Sequence, residues 1–238
     1  MTDKKLEGRV ALVTGASRGI GWQVALGLAK EGAHVIAVAR TSGALEELDD
    51  EIKQLGGSAT LVPFDLRDFE GYGRLAASIN ERWGKLDILI ANAGSLGALT
   101  PLNNLEPKTW LEAMDVNVNA SWMLIRTLDP LLQKSDAGRA VFVTSGAAVR
   151  AKAYWGPYCV SKAALNMLGQ VYAAENDKTN VRVNLINPGP MRTAMRARAF
   201  PGEDPDTLPH PSEIVPLFLE LAGPACTRNG EIVNFQPR

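Results

Sequence analysis

The chain has 238 residues, 46% hydrophobic and 21% charged, a balance that excludes fibrous and disordered classes and lets one α/β domain bury a substantial core. A net charge of −1 gives no overall field for nucleic acid or an anionic membrane surface, so any basic site must be local. The opening MTDKKLEGRV carries charge where a secretory signal needs an apolar run, and no stretch reaches the roughly 18 apolar residues of a membrane span; a cytoplasmic protein with no membrane or nucleic-acid partner is expected.

Taken in order, the chain opens with RVALVT, a β-branched apolar run that reads as a strand. It leads into Thr14-Gly15-Ala16-Ser17-Arg18-Gly19-Ile20-Gly21 and then the amphipathic stretch IGWQVALGLAKEG. A strand, a glycine turn and a helix in that order present unpaired N–H groups and a positive dipole end, a setting for a pyrophosphate, although a glycine pattern alone also fits a plain tight turn.

HVIAVA is the second strand. At its end, a dinucleotide fold selective for NAD places an acid that bonds the ribose 2′-hydroxyl and repels a 2′-phosphate. Ala39 stands there instead and Arg40 follows. Arg18 in the glycine turn is a second guanidinium for the same corner, and arginine's planar fork suits phosphate. The pattern predicts NADP(H) in preference to NAD(H).

LEELDDEIKQLGG, a helix closed by glycine, is followed by the strands ATLVPF and LDILIA. The region 103–132 then reads as helix with more apolar surface, including Trp110 and Trp122, than one sheet face needs. RAVFVTS is the fifth strand, with Ser145 at the carboxyl end where such a sheet presents residues to a ligand. Tyr158 and Lys162 come next, spaced i and i+4 on one helix face. A phenol near pKa 10 is a poor base at neutral pH, and an ammonium about 4 Å away at an effective dielectric of about 20 is worth about 4 kcal/mol in its favour; burial opposes part of that. YxxxK also occurs on ordinary amphipathic helices, and its place after Ser145 and the glycine turn favours the chemical reading.

VRVNLIN is the sixth strand, and EIVNF the seventh. Between them, Pro188 to Pro211 holds six prolines and reads as a lid at 190–211 or as a surface loop. Trp155, Met191 and Met195 suggest a partly apolar pocket; Arg192, Arg196 and Arg198 either meet an acidic ligand or form a solvated face. Cys159 and Cys226 have no partner pattern and read as reduced thiols, and His34 and His210 form no metal set. Strands separated by helix-length crossovers predict a doubly wound α/β fold: a Rossmann-like parallel seven-stranded sheet with helices on both faces, one domain over 1–238.

With its TGxxxGIG turn, Asp65-Leu66, Asn92-Ala93-Gly94, Asn117, Ser145, Tyr158-Cys159-Val160-Ser161-Lys162, and Asn187-Pro188-Gly189 followed by Thr193, the chain resembles the short-chain dehydrogenases/reductases along nearly its whole length. Ala91, where the family often has asparagine, and the closing GEIVNFQPR depart from the pattern. That ending and the stretch after Asn187 resemble a bacterial branch of the family.

The resemblance implies Tyr158 as the proton-transfer group, Ser145 on the substrate oxygen, Lys162 also on the ribose, and Asn117 in a water relay. It implies cofactor contacts from Gly15, Ser17, Arg18, Gly19 and Ile20, with Arg40. Further contacts are implied from Asp65 and Leu66 at the adenine, Asn92 to Gly94 along the cofactor, and Pro188, Gly189 and Thr193 at its far end. The expected activity is hydride transfer between NADP(H) and a small-molecule carbonyl or secondary alcohol. A 3-oxoacyl thioester reductase and a non-catalytic nucleotide-binding sensor or scaffold are the alternatives. A homodimer or homotetramer through the helices at 103–132 and 154–175, with Trp110, Trp122 and Leu168 among their apolar residues, is also expected.

Overall fold

The apolar runs form seven strands: β1 Val10–Thr14, β2 His34–Ala39, β3 Ser58–Pro63, β4 Ile88–Ala91, β5 Arg139–Val143, β6 Arg182–Asn187 and β7 Ile232–Asn234. Between them run α1 Gly19–Lys30, α2 Ser42–Gln54, α3 Gly71–Trp83, α4 Pro107–Met114, α5 Ala120–Leu132, α6 Gly156–Glu175, α7 Ala194–Ala199 and α8 Val215–Ala222. A computed structural model describes residues 4–236; Pro237 and Arg238 of the closing segment lie outside them.

All seven strands are parallel, in the order β3-β2-β1-β4-β5-β6-β7. Because a strand's side chains alternate between faces, each central strand feeds two cores. Ala11, Val13, Val35, Ile88, Ile90 and Val141 pack with α1, α2 and α8. Leu12, Ile36, Leu89 and Phe142 pack with α3, α5 and α6 on the other face. Fully buried strands therefore read as continuous apolar runs, as found. At the base of the sheet, buried Asp87 accepts from the Val10 amide at 2.9 Å, Lys85 at 2.8 Å and Ser135 at 2.6 Å, tying β1 to β4.

The chain builds β1 to β3 outwards, then returns to place β4 on the other side of β1. A crevice opens at the carboxyl ends of the strands where the order reverses, and ligands of such sheets bind there.

Two segments differ from their sequence reading. The helical region expected over 103–132 starts at Pro107, and a π-helical turn at Asp115–Asn119 joins α4 to α5. Wide turns of this kind occur mostly as single bulges within α-helices and are frequent at functional sites. The proline-rich stretch after β6 is not wholly irregular: Thr193 caps α7, its hydroxyl accepting from the Arg196 amide at 3.2 Å, and tight turns follow at Pro205–Thr207 and Pro211–Ile214. No helix among the described residues is long and apolar enough to cross a membrane.

Candidate active site

A cavity of about 1460 Å³ opens over the strand ends at the β1–β4 reversal. At its floor the chain leaves β1 through Gly15 (φ +66°) and enters α1 through Gly19 (φ +60°). The left-handed backbone favours glycine at both positions. Crowding adds to this, since a Cβ at Gly15 would meet Ala93 Cα and Asn92 Nδ2 at 3.0 Å. Arg18 precedes α1 without a side-chain cap, so the first-turn N–H groups face the cavity uncapped.

The turn is clamped from β4. The Thr14 hydroxyl accepts from the amides of Asn92 (3.0 Å) and Ala93 (3.1 Å), and Asn92 Nδ2 donates back to the Thr14 carbonyl at 2.9 Å. Asn92 thus spends its side-chain amide on the protein, a role that needed Thr14 and was not evident from the sequence. Gly15, Ser17, Arg18, Gly19 and Ile20 line the cavity, as do Asn92, Ala93 and Gly94.

On the β2–β3 side, Ala39 closes its strand and exposed Arg40 follows; both line the cavity. Neither Arg18 nor Arg40 forms an ion pair among the described residues. Asp65 and Leu66 line the same end. Asp65 accepts the Arg67 fork at 3.2 and 2.7 Å and the Arg67 amide at 3.0 Å. That Arg67 pairing, with a smaller pull from Arg40, holds the Asp65 carboxyl below its usual range.

At the opposite end, Ser145, Tyr158 and Lys162 line the cavity together. Ser145 lies past the end of β5, not within it, where it caps a short turn by accepting from the Ala147 amide at 3.2 Å. The first turns of α6 carry Tyr158 and Lys162 on one face, both buried. Trp155 holds the Tyr158 ring edge-on at 5.9 Å. The Lys162 ammonium donates to the Val143 carbonyl at 2.7 Å and sits 5.9 Å from the Tyr158 ring centre.

The electrostatics differ from the simple expectation of a lysine-depressed phenol. Burial pushes the Tyr158 hydroxyl upward, and the neighbouring Ser145 hydroxyl only partly counters it. Burial also lowers Lys162 to about 8. Desolvation exceeds the effect of the ammonium because Lys162 is itself almost wholly buried and satisfied by a carbonyl.

Asn117 is placed differently from the other expected residues: it is buried in the π-helical turn and does not line the cavity. Its Oδ1 accepts from the Ser95 amide at 2.7 Å, and its Nδ2 donates to the Ser95 carbonyl at 2.9 Å and to Ser161 Oγ at 2.8 Å. A Cβ at Gly94 would stand 3.4 Å from Asn117 Oδ1 and 3.5 Å from the Lys162 ammonium, which shows how closely the three approach.

Pro188, Gly189 and Thr193 close the far wall, and Thr193 reaches within 3.5 Å of where a Gly19 side chain would begin. Arg192, Arg196 and Arg198 also line the cavity. Each is engaged: Arg192 with Asp206 at 3.1 Å, Arg196 with Glu203 through a two-bond fork, and Arg198 with the Gly97 carbonyl. His34 instead bridges Ser58 and Thr60 on β3 at 2.8 and 2.9 Å. Cys159 and Cys226 are free thiols, both half-buried.

The arrangement fits a dinucleotide: an uncapped glycine turn, two guanidinium groups, Arg18 and Arg40, at one end of the cavity, and a buried phenol, Tyr158, at the other. The family model for short chain dehydrogenase matches residues 9–204. The Escherichia coli K12 protein named uncharacterized oxidoreductase YciK is 43% identical over 92% of this chain and 87% of its own length. A Shigella flexneri 2a short-chain dehydrogenase complexed with NADP superposes with a TM-score of 0.95 at 40% identity, covering 99% of this chain and 100% of its own. One from Escherichia coli CFT073, complexed with NADPH, gives 0.93 at 40% identity, covering all of both chains.

Proposed function

This chain belongs to the short-chain dehydrogenase family, and from that membership we propose an NADP(H)-dependent oxidoreductase that interconverts a carbonyl and an alcohol, with Tyr158 carrying the proton. The observation that bears most weight is the convergence of Ser145, Tyr158 and Lys162 on the cavity that also holds the glycine turn, Arg18 and Arg40.

When bound, the nicotinamide supplies or accepts the hydride. Ser145 hydrogen-bonds the substrate oxygen. Tyr158, kept protonated by burial, donates its phenolic proton to that oxygen as the carbonyl carbon is reduced. The direction of its shift favours reduction at neutral pH, because alcohol oxidation needs the phenolate. Lys162 places a positive charge beside the phenol, held by the Val143 carbonyl. Asn117 acts by position: it clamps the Ser95 loop to Ser161, between Tyr158 and Lys162 on α6. Gly15 to Ile20 receive the pyrophosphate, Asp65 and Leu66 flank the adenine, Asn92 to Gly94 run along the cofactor, and Pro188, Gly189 and Thr193 border the nicotinamide end. The segment 190–211 is the lid of this one domain.

The preference for NADP(H) rests on Ala39 in place of an acid, on the unpaired Arg18 and Arg40, and on the two relatives complexed with NADP and NADPH. Competitive titration is expected to show NADPH binding at least tenfold more tightly than NADH. Ala39→Asp with Arg40→Ala should erase that margin, since it adds a carboxylate and removes a fork at the 2′-phosphate. Equal affinities in the parent protein contradict the assignment.

A homodimer or homotetramer belongs to the same reading. Leu111, Trp122, Val160, Met167 and Val171 on α4, α5 and α6 are all exposed, more apolar surface than a lone subunit usually leaves in water. Sedimentation at micromolar concentration should show no monomer; a monomer alone contradicts it. A cytoplasmic location is consistent with two free thiols.

A further inference from the structure

Building on the oxidoreductase reading above, we propose that the substrate carries an acidic group remote from its carbonyl, and that Lys152, with Arg150, receives it at the mouth of the cavity. The cavity is unevenly charged. Its two acids, Asp65 and Glu112, are both at the β3 end and share Arg67. The wall near Tyr158 carries Arg150, Lys152, Arg192, Arg196 and Arg198 and no acid. A chain of net charge −1 does not produce that bias through general basicity. One sign of charge along a cleft with low-dielectric walls concentrates ligands of the opposite sign.

The pairing within the wall singles out two of the five. Arg192 and Arg196 are neutralised by Asp206 and Glu203, and Arg198 is turned to the Gly97 carbonyl. Arg150 and Lys152 have no acid partner among the described residues.

Lys152 is also held in place. Its ammonium lies 3.9 Å from the Trp155 ring centre and 4.0 Å from that of Phe200, and Arg196 covers Phe200 at 3.7 Å. Trp155 in turn abuts Tyr158. The stack fixes a normally mobile ammonium one aromatic ring away from the proton donor, so part of the ordering cost of binding is already met. Desolvation in the stack, then Arg196, lowers the Lys152 pKa, and Glu203, committed to Arg196, offsets only part of this; a bound anion would act in the same sense as Glu203.

The test compares short oxo acids with their methyl esters, and dihydroxyacetone phosphate with dihydroxyacetone. NADPH turnover is measured for each pair, together with calorimetric binding to the NADP⁺-loaded protein. At least one acid should exceed its neutral partner by about tenfold, a margin that shrinks with added salt. Lys152→Gln should lower the acid-to-neutral ratio about tenfold, and Lys152→Arg should restore most of it. If no acid outperforms its neutral partner, or if the ratio is unchanged in Lys152→Gln, the assignment is overturned. Turnover without acid preference removes this inference and leaves the oxidoreductase reading intact. Acid-selective, Lys152-dependent binding with no turnover on any carbonyl does the reverse.

Discussion

Tyr158→Phe should lower kcat/KM for carbonyl reduction by about 10²- to 10⁴-fold, the usual cost of losing a general acid, while NADPH binding persists. The substitution removes one oxygen and keeps the ring. Packing against Trp155 at 5.9 Å survives, and the ring remains buried. Among the described residues the hydroxyl's hydrogen-bond neighbour is the Ser145 side chain and not the backbone, so the loss falls on the chemistry. Because burial raises the Tyr158 pKa, the parent's reduction rate should stay level across neutral pH as far as this group is concerned. Alcohol oxidation should climb as pH rises towards that raised value. Stopped-flow rates with NADPH affinity measured in parallel check both halves; a Phe variant at the parent rate contradicts Tyr158 as proton donor.

Lys162→Met should abolish most turnover and at the same time stabilise the fold. A lysine whose pKa falls from about 10.4 unfolded to about 8 folded binds its proton more weakly in the native state. Below pH 8 both states are protonated, and the native state carries the whole penalty, about 3 kcal/mol at 1.36 kcal/mol per unit. From about 8 to 10.4 the unfolded chain holds more proton, so native stability rises with pH and the penalty fades. Methionine removes the charge and keeps the length, but it leaves the Val143 carbonyl without its 2.7 Å donor, a loss of about 1–3 kcal/mol. The net expectation at pH 7 is a gain of up to about 2 kcal/mol, shrinking as pH approaches 10. Denaturant unfolding of both proteins at pH 7 and pH 10 measures it. A variant less stable than the parent at pH 7, with a gap that does not depend on pH, contradicts the buried-ammonium account.

The strands, the glycine turn and the Tyr158–Lys162 face could be read from the sequence because each depends on local periodicity or on one residue's backbone freedom. Seven apolar runs became seven parallel strands, and Gly15 and Gly19 took left-handed backbone. What depended on partners distant in sequence was not readable. Asn92 has Thr14 as its partner, 78 positions away, and Asn117 has Ser161, 44 positions away. Lys162 is satisfied by a backbone carbonyl, which leaves no residue-type signal at all. The sequence left Arg192, Arg196 and Arg198 open between an acidic ligand and a solvated face; Asp206 and Glu203, brought back by the fold, engage the first two and the Gly97 carbonyl the third. Lys152 and Arg150 carried no motif; it takes the folded wall to show that neither has an ion-pair partner among the described residues and that Lys152 is stacked on Trp155 and Phe200.

The proposed reaction in this cavity joins a hydride from the nicotinamide and a proton from Tyr158 on one carbonyl. Incubating the protein with NADPH deuterated on the transferring face of its nicotinamide and with a panel of aldehydes and ketones tests it most directly. Deuterium is expected on the carbinol carbon of at least one product, formed by the parent and lost in Tyr158→Phe. NADPH bound at micromolar concentration with no deuterium appearing in any product would contradict it.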